Sequence, residues 1–463
     1  MNKQIGLINL IAVGCLVACQ PKQDDAQQDN IRLITLAPGH FHAALVQKSM
    51  YPDVDSVVHV YAPKGTELDA HLALIDQYNS RAENPTHWEE VIYQGDDFLE
   101  KMLDERKGNV VVLAGNNQHK IDYISQSINA GLHVLADKPM VINQEGFSKL
   151  QQAFANASAK KILLYDIMTE RYEINTMLQK ALSQEPDFFG GLVTGSADTP
   201  AITKESIHHF FKEVSGKPLI RPAWFYDTKQ QGEGLLDVTT HLVDLVQWES
   251  FPDQTIDYNQ DIELVGAKRW PTTVTAEQFT QSTGLQVVPS FLSEALGSDG
   301  NLAVFANGEI NYKLKGIHAK VSVIWNFQAP QGTGDTHYSI MRGKYANLII
   351  QQGKEEQYKP TLYVETTGAR DLQTFENTLK EAVEQLGKTY KGMAFERVGE
   401  GRYRISVDAS LVTSHEDHFA QVTEKYLGFL QSGTMPEWEV PNMIAKYYLT
   451  TKALEEAETI TSP

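Results

Sequence analysis

Between residues 31 and 165 the sequence alternates compact apolar runs with longer amphipathic stretches, and this alternation constrains the fold more than any other feature. The runs at 31–36, 56–61, 109–113, 132–135 and 161–165 are rich in Val, Ile and Leu, as strands covered on both faces are. The stretches between them, 41–50, 66–80, 96–105, 119–130 and 143–159, carry helical periodicity. A strand that returns to its own sheet through a helix makes a parallel crossover, so residues 31–184 predict a Rossmann-like, doubly wound parallel sheet. Ligands of such sheets bind beyond the carboxyl ends of the strands. The residues that follow each strand are therefore the candidate site.

After the first run comes Ala37-Pro38-Gly39-His40-Phe41-His42. A dinucleotide loop would place three glycines here, letting the backbone approach a pyrophosphate at a helix N-terminus. Only the central one, Gly39, is present, with His42 in place of the third, and the second run ends Tyr61-Ala62-Pro63-Lys64 without the acid that holds a ribose hydroxyl. By itself the loop reads equally as a turn that binds no nucleotide. The next two strand ends say more. One runs into Asn116-Asn117-Gln118-His119, the other into Asp137-Lys138-Pro139. Proline holds the residue before it extended, which sets Lys138 at the strand end with its ammonium near the crevice, able to neutralise a developing alkoxide or contact a ribose. An ordinary turn lysine is the other reading of that tripeptide.

The segment 232–248 is apolar except for one stripe. Placed on a helix, Asp237, His241, Asp244 and Trp248 fall within about 60° of one another. Burying two carboxylates and an imidazole is costly unless they pair or face a site. Spacing of i, i+4 lets Asp237 reach His241, fixing its tautomer and raising its basicity as a general base, or else making a satisfied core pair.

With these pieces in hand, the chain resembles the glucose-fructose oxidoreductase, inositol dehydrogenase and MocA (Gfo/Idh/MocA) family. Asn116-x-x-His119 is similar to its Asn-x-x-His, Asp137-Lys138-Pro139 to its Glu-Lys-Pro, and Asp237-x-x-x-His241 to its catalytic Asp-x-x-x-His. The resemblance implies NAD or NADP as cofactor, held in place through Gly39, His40, Phe41, Asn116, His119, Asp137 and Lys138. It implies catalysis by Lys138, Asp237 and His241 on a sugar or cyclitol hydroxyl, substrate contacts from Asp244, Arg171 and Trp224, and a homo-oligomer. Three readings follow: net oxidation of a carbohydrate carbinol, redox-neutral glycoside cleavage through transient oxidation by a retained cofactor, and a non-catalytic carbohydrate-binding protein.

Beyond residue 184 the pattern changes. Residues 189–195 read as a strand, 202–211 hold the adjacent His208 and His209, and 221–226 form an aromatic loop around Trp224 that suits stacking on a sugar ring. Alternating runs at 302–314, 317–328, 337–342 and 346–352 predict a mostly antiparallel sheet in an α+β substrate domain over 185–463, with an insertion near 361–412. His415 and His418 invite a metal, but Ser414 with Asp417 is a helix-start pair and no third ligand is near in sequence, so no metal is expected.

Lys3, an apolar stretch at 5–17 and Leu16-Val17-Ala18-Cys19 resemble a bacterial lipoprotein signal over 1–18. Cys19 is then the lipidated residue, 19–30 a polar tether, and the protein membrane-anchored in the periplasm or at the cell surface. Cys15 and Cys19 are the chain's two cysteines, so the folded body carries no disulfide, zinc-thiolate site or thiol nucleophile. With 40 Lys plus Arg against 59 Asp plus Glu, a net charge of −19 and no basic run, nucleic acid is excluded as a partner.

Overall fold

The computed structural model describes residues 31–214 and 217–461. The lipoprotein signal, its tether and Cys19 lie outside the described residues. The first domain is a six-stranded, all-parallel sheet built from β1 (Leu33–Leu36), β2 (Val57–Ala62), β3 (Glu89–Gln94), β4 (Val110–Leu113), β5 (His133–Asp137) and β6 (Leu164–Ile167). Its order is β3-β2-β1-β4-β5-β6, the doubly wound arrangement. β1, β4 and β6 are buried at every position, which is why they read as unbroken apolar runs. β3 escapes such a reading: at the sheet edge it has no fully buried residue, and Val91 and Ile92 are exposed.

The second domain is a mixed, mostly antiparallel ten-stranded sheet. Its strands are β7 (Ile202–Phe211), β10 (Ile262–Val274), β11 (Leu302–Leu314), β12 (Ile317–Gln328), β13 (Thr336–Arg342), β14 (Ala346–Gln351), β15 (Thr361–Thr366), β16 (Ala394–Gly399), β17 (Arg402–Ser406) and β18 (Glu458–Thr459). The order is β16-β17-β15-β14-β13-β7-β12-β11-β10-β18, and β8 (Glu213–Val214) with β9 (Lys217–Pro218) forms a separate hairpin. β7 lies at the centre, parallel to β12 and antiparallel to β13.

One expectation is corrected here. Residues 189–195 form no strand. The helical turn Pro186–Phe189 is stopped by Gly190 and Gly191, both at positive φ, leaving isolated bridges at Leu192 and Gly195. Residues 361–412 hold a strand, a helix and two short strands: β15, β16 and β17 extend the large sheet, and Leu362, Val364, Phe375, Leu379 and Tyr403 sit within its core.

The C-terminal helix Glu439–Glu456 joins the domains. Met443 and Tyr447 enter the core of the parallel sheet, while Ala445, Leu449 and Ala453, spaced by four on another face, enter the core of the large sheet. Burying one Met or Leu contributes about 1.5–3 kcal/mol, so this helix fastens the two bodies around the cleft between them. Among the described residues no helix is long and apolar enough to cross a membrane.

Candidate active site

The cleft has a volume of about 1280 Å³ and lies between the carboxyl ends of the parallel strands and the face of the large sheet around β7, β12 and β13. Lys138 follows β5, across a cis peptide to Pro139. Its ammonium donates to Asp237 Oδ1 at 2.6 Å, with both side chains about nine-tenths buried. Burial alone would raise the Asp237 carboxyl, but the adjacent Lys138 charge overrides it and the group lies below its usual range.

The expected Asp237–His241 pair is not formed. The helix begins only at Thr239, and residues 234–238 make tight turns in which the Leu236 and Asp237 amides both donate to the Glu233 carbonyl. Gly234 sets this geometry: a Cβ there would lie 2.0 Å from the Ala306 carbonyl oxygen, so the chain is pinned against β11 before helical spacing starts. Asp237 therefore turns to Lys138, and His241 Nδ1 is buried without a hydrogen-bond partner. Leaving such an atom unpaired costs about 1–3 kcal/mol, which marks a group held for something other than stability. Burial, then the Lys138 charge, pushes His241 down to about 3, so its imidazole is neutral, and in the empty cleft it is a weaker base than a free one.

Further groups complete the cleft that local patterns did not reveal. Glu170, beside β6, would be raised by burial, yet the imidazoles of His337, His415 and His241 bring it to about 2. On the opposite wall Asp335 holds His208 at 3.1 Å, His209 at 3.0 Å and Lys212 at 2.6 Å. Glu170 lies far in sequence from Asp335 and His337, which stand two residues apart at the start of β13, and only the adjacency of His208 and His209 was visible as a signal.

At the first strand end, Asp137 Oδ2 lies 2.9 Å from His42 Nδ1 and 3.5 Å from His40 Nδ1. The Gly39 and His40 amides both donate to the Ala114 carbonyl, at 3.2 and 3.1 Å. Gly39 packs closely here, since a Cβ would press on Trp224 at 3.3 Å and touch the Gly115 Cα at 3.4 Å. Trp224 lines the cleft and donates from Nε1 to Glu67 Oε1 at 3.0 Å, and Asn116 Nδ2 donates to Gln230 Oε1 at 2.7 Å. The segment around 224–231 thus spans the strand ends.

Three expected contacts are displaced from the cleft. His119 is exposed, at the N-terminus of the helix Lys120–Asn129. Asp244 and Arg171 do not line the cleft: Arg171 grips Asp244 with two hydrogen bonds of 2.6 and 2.7 Å and reaches Glu439 at 3.1 Å, and Lys446 bonds Asp244 and Asp166, each at 2.8 Å. Each of these five side chains is at most 5% exposed, so a substrate cannot reach them.

A doubly wound sheet joined to a large, mostly antiparallel sheet, with a lysine, a carboxylate and an imidazole on the cleft between them, defines a two-domain oxidoreductase scaffold. The family comparisons make this specific. The model described as "Oxidoreductase family, NAD-binding Rossmann fold" matches residues 40–165, and the one described as "Putative oxidoreductase C terminal domain" matches residues 178–458. The chain belongs to the Gfo/Idh/MocA oxidoreductase family. It is similar over 92% of its length to 97% of a crystal structure from Parabacteroides merdae ATCC 43184, described as a putative oxidoreductase, at 54% identity and a TM-score of 0.91. The fold is also that of KijD10, a 3-ketoreductase from Actinomadura kijaniata solved with NADP and TDP-benzene (13% identity, 94% and 100% coverage, TM-score 0.57). An oxidoreductase from Thermotoga maritima, likewise described as putative, shares it too (11% identity, 92% and 98% coverage, TM-score 0.59). No curated protein matches.

The NAD-binding family model supports a nicotinamide cofactor. At the cleft the residues fit one: Lys138 supplies a cation, His241 an unpaired acceptor, and His40, Phe41, Gly115, Asn117 and Asp137 line the space beside them.

Proposed function

We propose that the chain oxidises or reduces a hydroxyl-bearing carbon of a sugar, glycoside or cyclitol in the cleft. The observation that carries this reading is a neutral, unpartnered His241 beside the Lys138–Asp237 pair. His241 takes the hydroxyl proton as the carbon is oxidised and returns it on reduction. Lys138, anchored by Asp237, stabilises the oxygen as it gains negative charge. A bound nicotinamide supplies the hydride acceptor and donor. His40, Phe41, Asn116, Asp137 and Lys138 would hold it, and Trp224 would stack on the sugar from the cleft wall. Acid release from the purified chain followed by mass spectrometry tests the reading: near one NAD or NADP per chain is expected. Finding none, together with no thermal stabilisation by either dinucleotide, would favour a carbohydrate-binding role instead.

The Trp224–Glu67 and Asn116–Gln230 bonds across the strand ends favour a second reading, in which a retained cofactor serves a redox-neutral glycoside cleavage. Product analysis separates the two, since a keto sugar indicates net oxidation and a released aglycone without net oxidation indicates cleavage. We further propose, from the sequence alone, that the protein is a lipoprotein anchored through Cys19 outside the cytoplasm. Metabolic lipid labelling that is lost in Cys19→Ala supports this, and labelling that persists overturns it. The homo-oligomer that the family implies is a proposal as well, checked by light scattering.

A further inference from the structure

His42, which breaks the glycine pattern of the first loop, gathers with His40 around Asp137. His42 stands where a dinucleotide loop has its third glycine, and His40 stands two residues before it. One ring nitrogen from each histidine and a carboxylate oxygen of Asp137 lie within 4.8 Å of one another. Two ligand atoms bound tetrahedrally to one ion at roughly 2.0–2.1 Å sit about 3.3 Å apart. The Asp137 oxygen is 2.9 Å from His42 Nδ1 and 3.5 Å from His40 Nδ1, bracketing that spacing.

Three further features suit a cation. His40 Nδ1 is buried with no hydrogen-bond partner, so one member of the cluster is unsatisfied without an ion. Lys120, fully buried, donates to the Asp137 carbonyl at 2.9 Å and to that of Pro139 at 3.2 Å, fixing the backbone from which the carboxylate projects. Of the positive charges near the cluster, Lys138 is paired with Asp237, while the buried Lys120 ammonium also acts on the Asp137 carboxylate. All three cluster residues line the cleft, so positions not taken by protein open toward the substrate.

We propose that His40, His42 and Asp137 bind a divalent first-row transition metal ion. Two imidazoles and one carboxylate with open positions form the ligand set of a Lewis-acid site. Adjacent hydroxyls, or a hydroxyl beside a carbonyl, of a polyol substrate would complete the ion's coordination and be polarised by it. His40 and Asp137 would then serve the ion, while Phe41, Asn116 and Lys138 remain for the dinucleotide.

The test uses the purified full chain, stripped with EDTA and titrated with Co²⁺, reading visible d–d absorption and metal content by mass spectrometry. One equivalent is expected, with bands of a low-coordinate nitrogen and oxygen site. His40→Ala should weaken Co²⁺ binding by on the order of a hundredfold, at least as much as losing a partner that only orients a ligand. His40 is the most exposed member of the cluster, with a side chain 21% accessible, so this variant keeps the fold, and circular dichroism confirms it. Asp137→Asn should weaken binding similarly. No stoichiometric Co²⁺ in the wild type, or unchanged affinity in His40→Ala, overturns the proposal. So does a cation lost on Asp335→Asn but kept in both other variants, which would place it on the opposite wall.

Discussion

Two buried polar clusters meet where the domains join, and they are built on opposite terms. In the one behind the cleft, Arg171, Asp244, Glu439, Lys446 and Asp166 satisfy one another, and Lys425 adds a bond to Glu439 at 2.7 Å. Tyr447 donates to Asp166 at 2.9 Å. In the one on the cleft, Lys138 and Asp237 pair, but His241 Nδ1 is left without a hydrogen-bond partner. Asp237 and Asp244 lie on the same stretch of chain and fall on either side of this divide. A buried charge that has found all its partners holds the structure together. A polar atom kept unsatisfied at a cleft is free for a ligand.

The contrast can be broken by substitution, and the largest effect belongs to the unsatisfied side. His241→Ala should lower turnover about 10²–10⁴-fold through loss of the general base. Its urea midpoint should stay near wild type, because the imidazole makes no hydrogen bond through Nδ1 to lose. Steady-state rates and a urea melt on one preparation decide it, and an active His241→Ala would remove His241 from the mechanism. The satisfied side should respond in the opposite sense. Arg171→Met leaves Asp244 and Glu439 facing each other without their guanidinium and should cost about 3–5 kcal/mol of stability, read from the same urea melt.

A pH series sharpens the comparison. Burial brings His241 to about 3 in the folded chain against the ordinary 6.5, so between these values the unfolded chain binds the extra proton. Stability from this group is complete above pH 6.5 and is lost as pH falls toward 3. In His241→Asn the dependence of stability on pH across that window should be shallower by about 1.4 kcal/mol per pH unit, from chemical melts at successive pH values. The Asp244 carboxyl would be raised by burial, but Arg171 and then Lys446 hold it below the usual carboxylate range, so its stabilisation is lost only as pH falls below that range. The smallest effect belongs to the span over the strand ends. Trp224→Phe removes the bond to Glu67, should cost about 1 kcal/mol in stability, and should speed release of bound dinucleotide in a dilution assay.

Legibility followed whether the deciding interaction was local. The strands of the parallel sheet were readable because burial on both faces demands unbroken apolar runs, and β11 and β12 because alternating burial demands alternating sequence. The exposed edge strand β3 was not, since no burial shapes its composition. Lys138, Asp237 and His241 were readable as a set from their motifs, and the structure places all three on the cleft. Their pairing was not. Helical spacing from Asp237 to His241 presumes a helix that the packing of Gly234 against Ala306 delays until Thr239. Asp244 fits a polar stripe facing a site equally well as one facing buried cations.

The sequence by itself determined the two-domain architecture, the exclusion of thiol chemistry from the folded body and the residue types available for proton transfer, because periodicity, composition and short motifs are properties of neighbouring residues. Only the tertiary structure decided which polar groups are spent on each other and which stay open. It set Arg171 and Lys446 on Asp244, Lys138 on Asp237, and the two histidines of the first loop on Asp137. Those partners arrive from elements far apart in the chain, and the energy of a buried charge depends on what surrounds it in space.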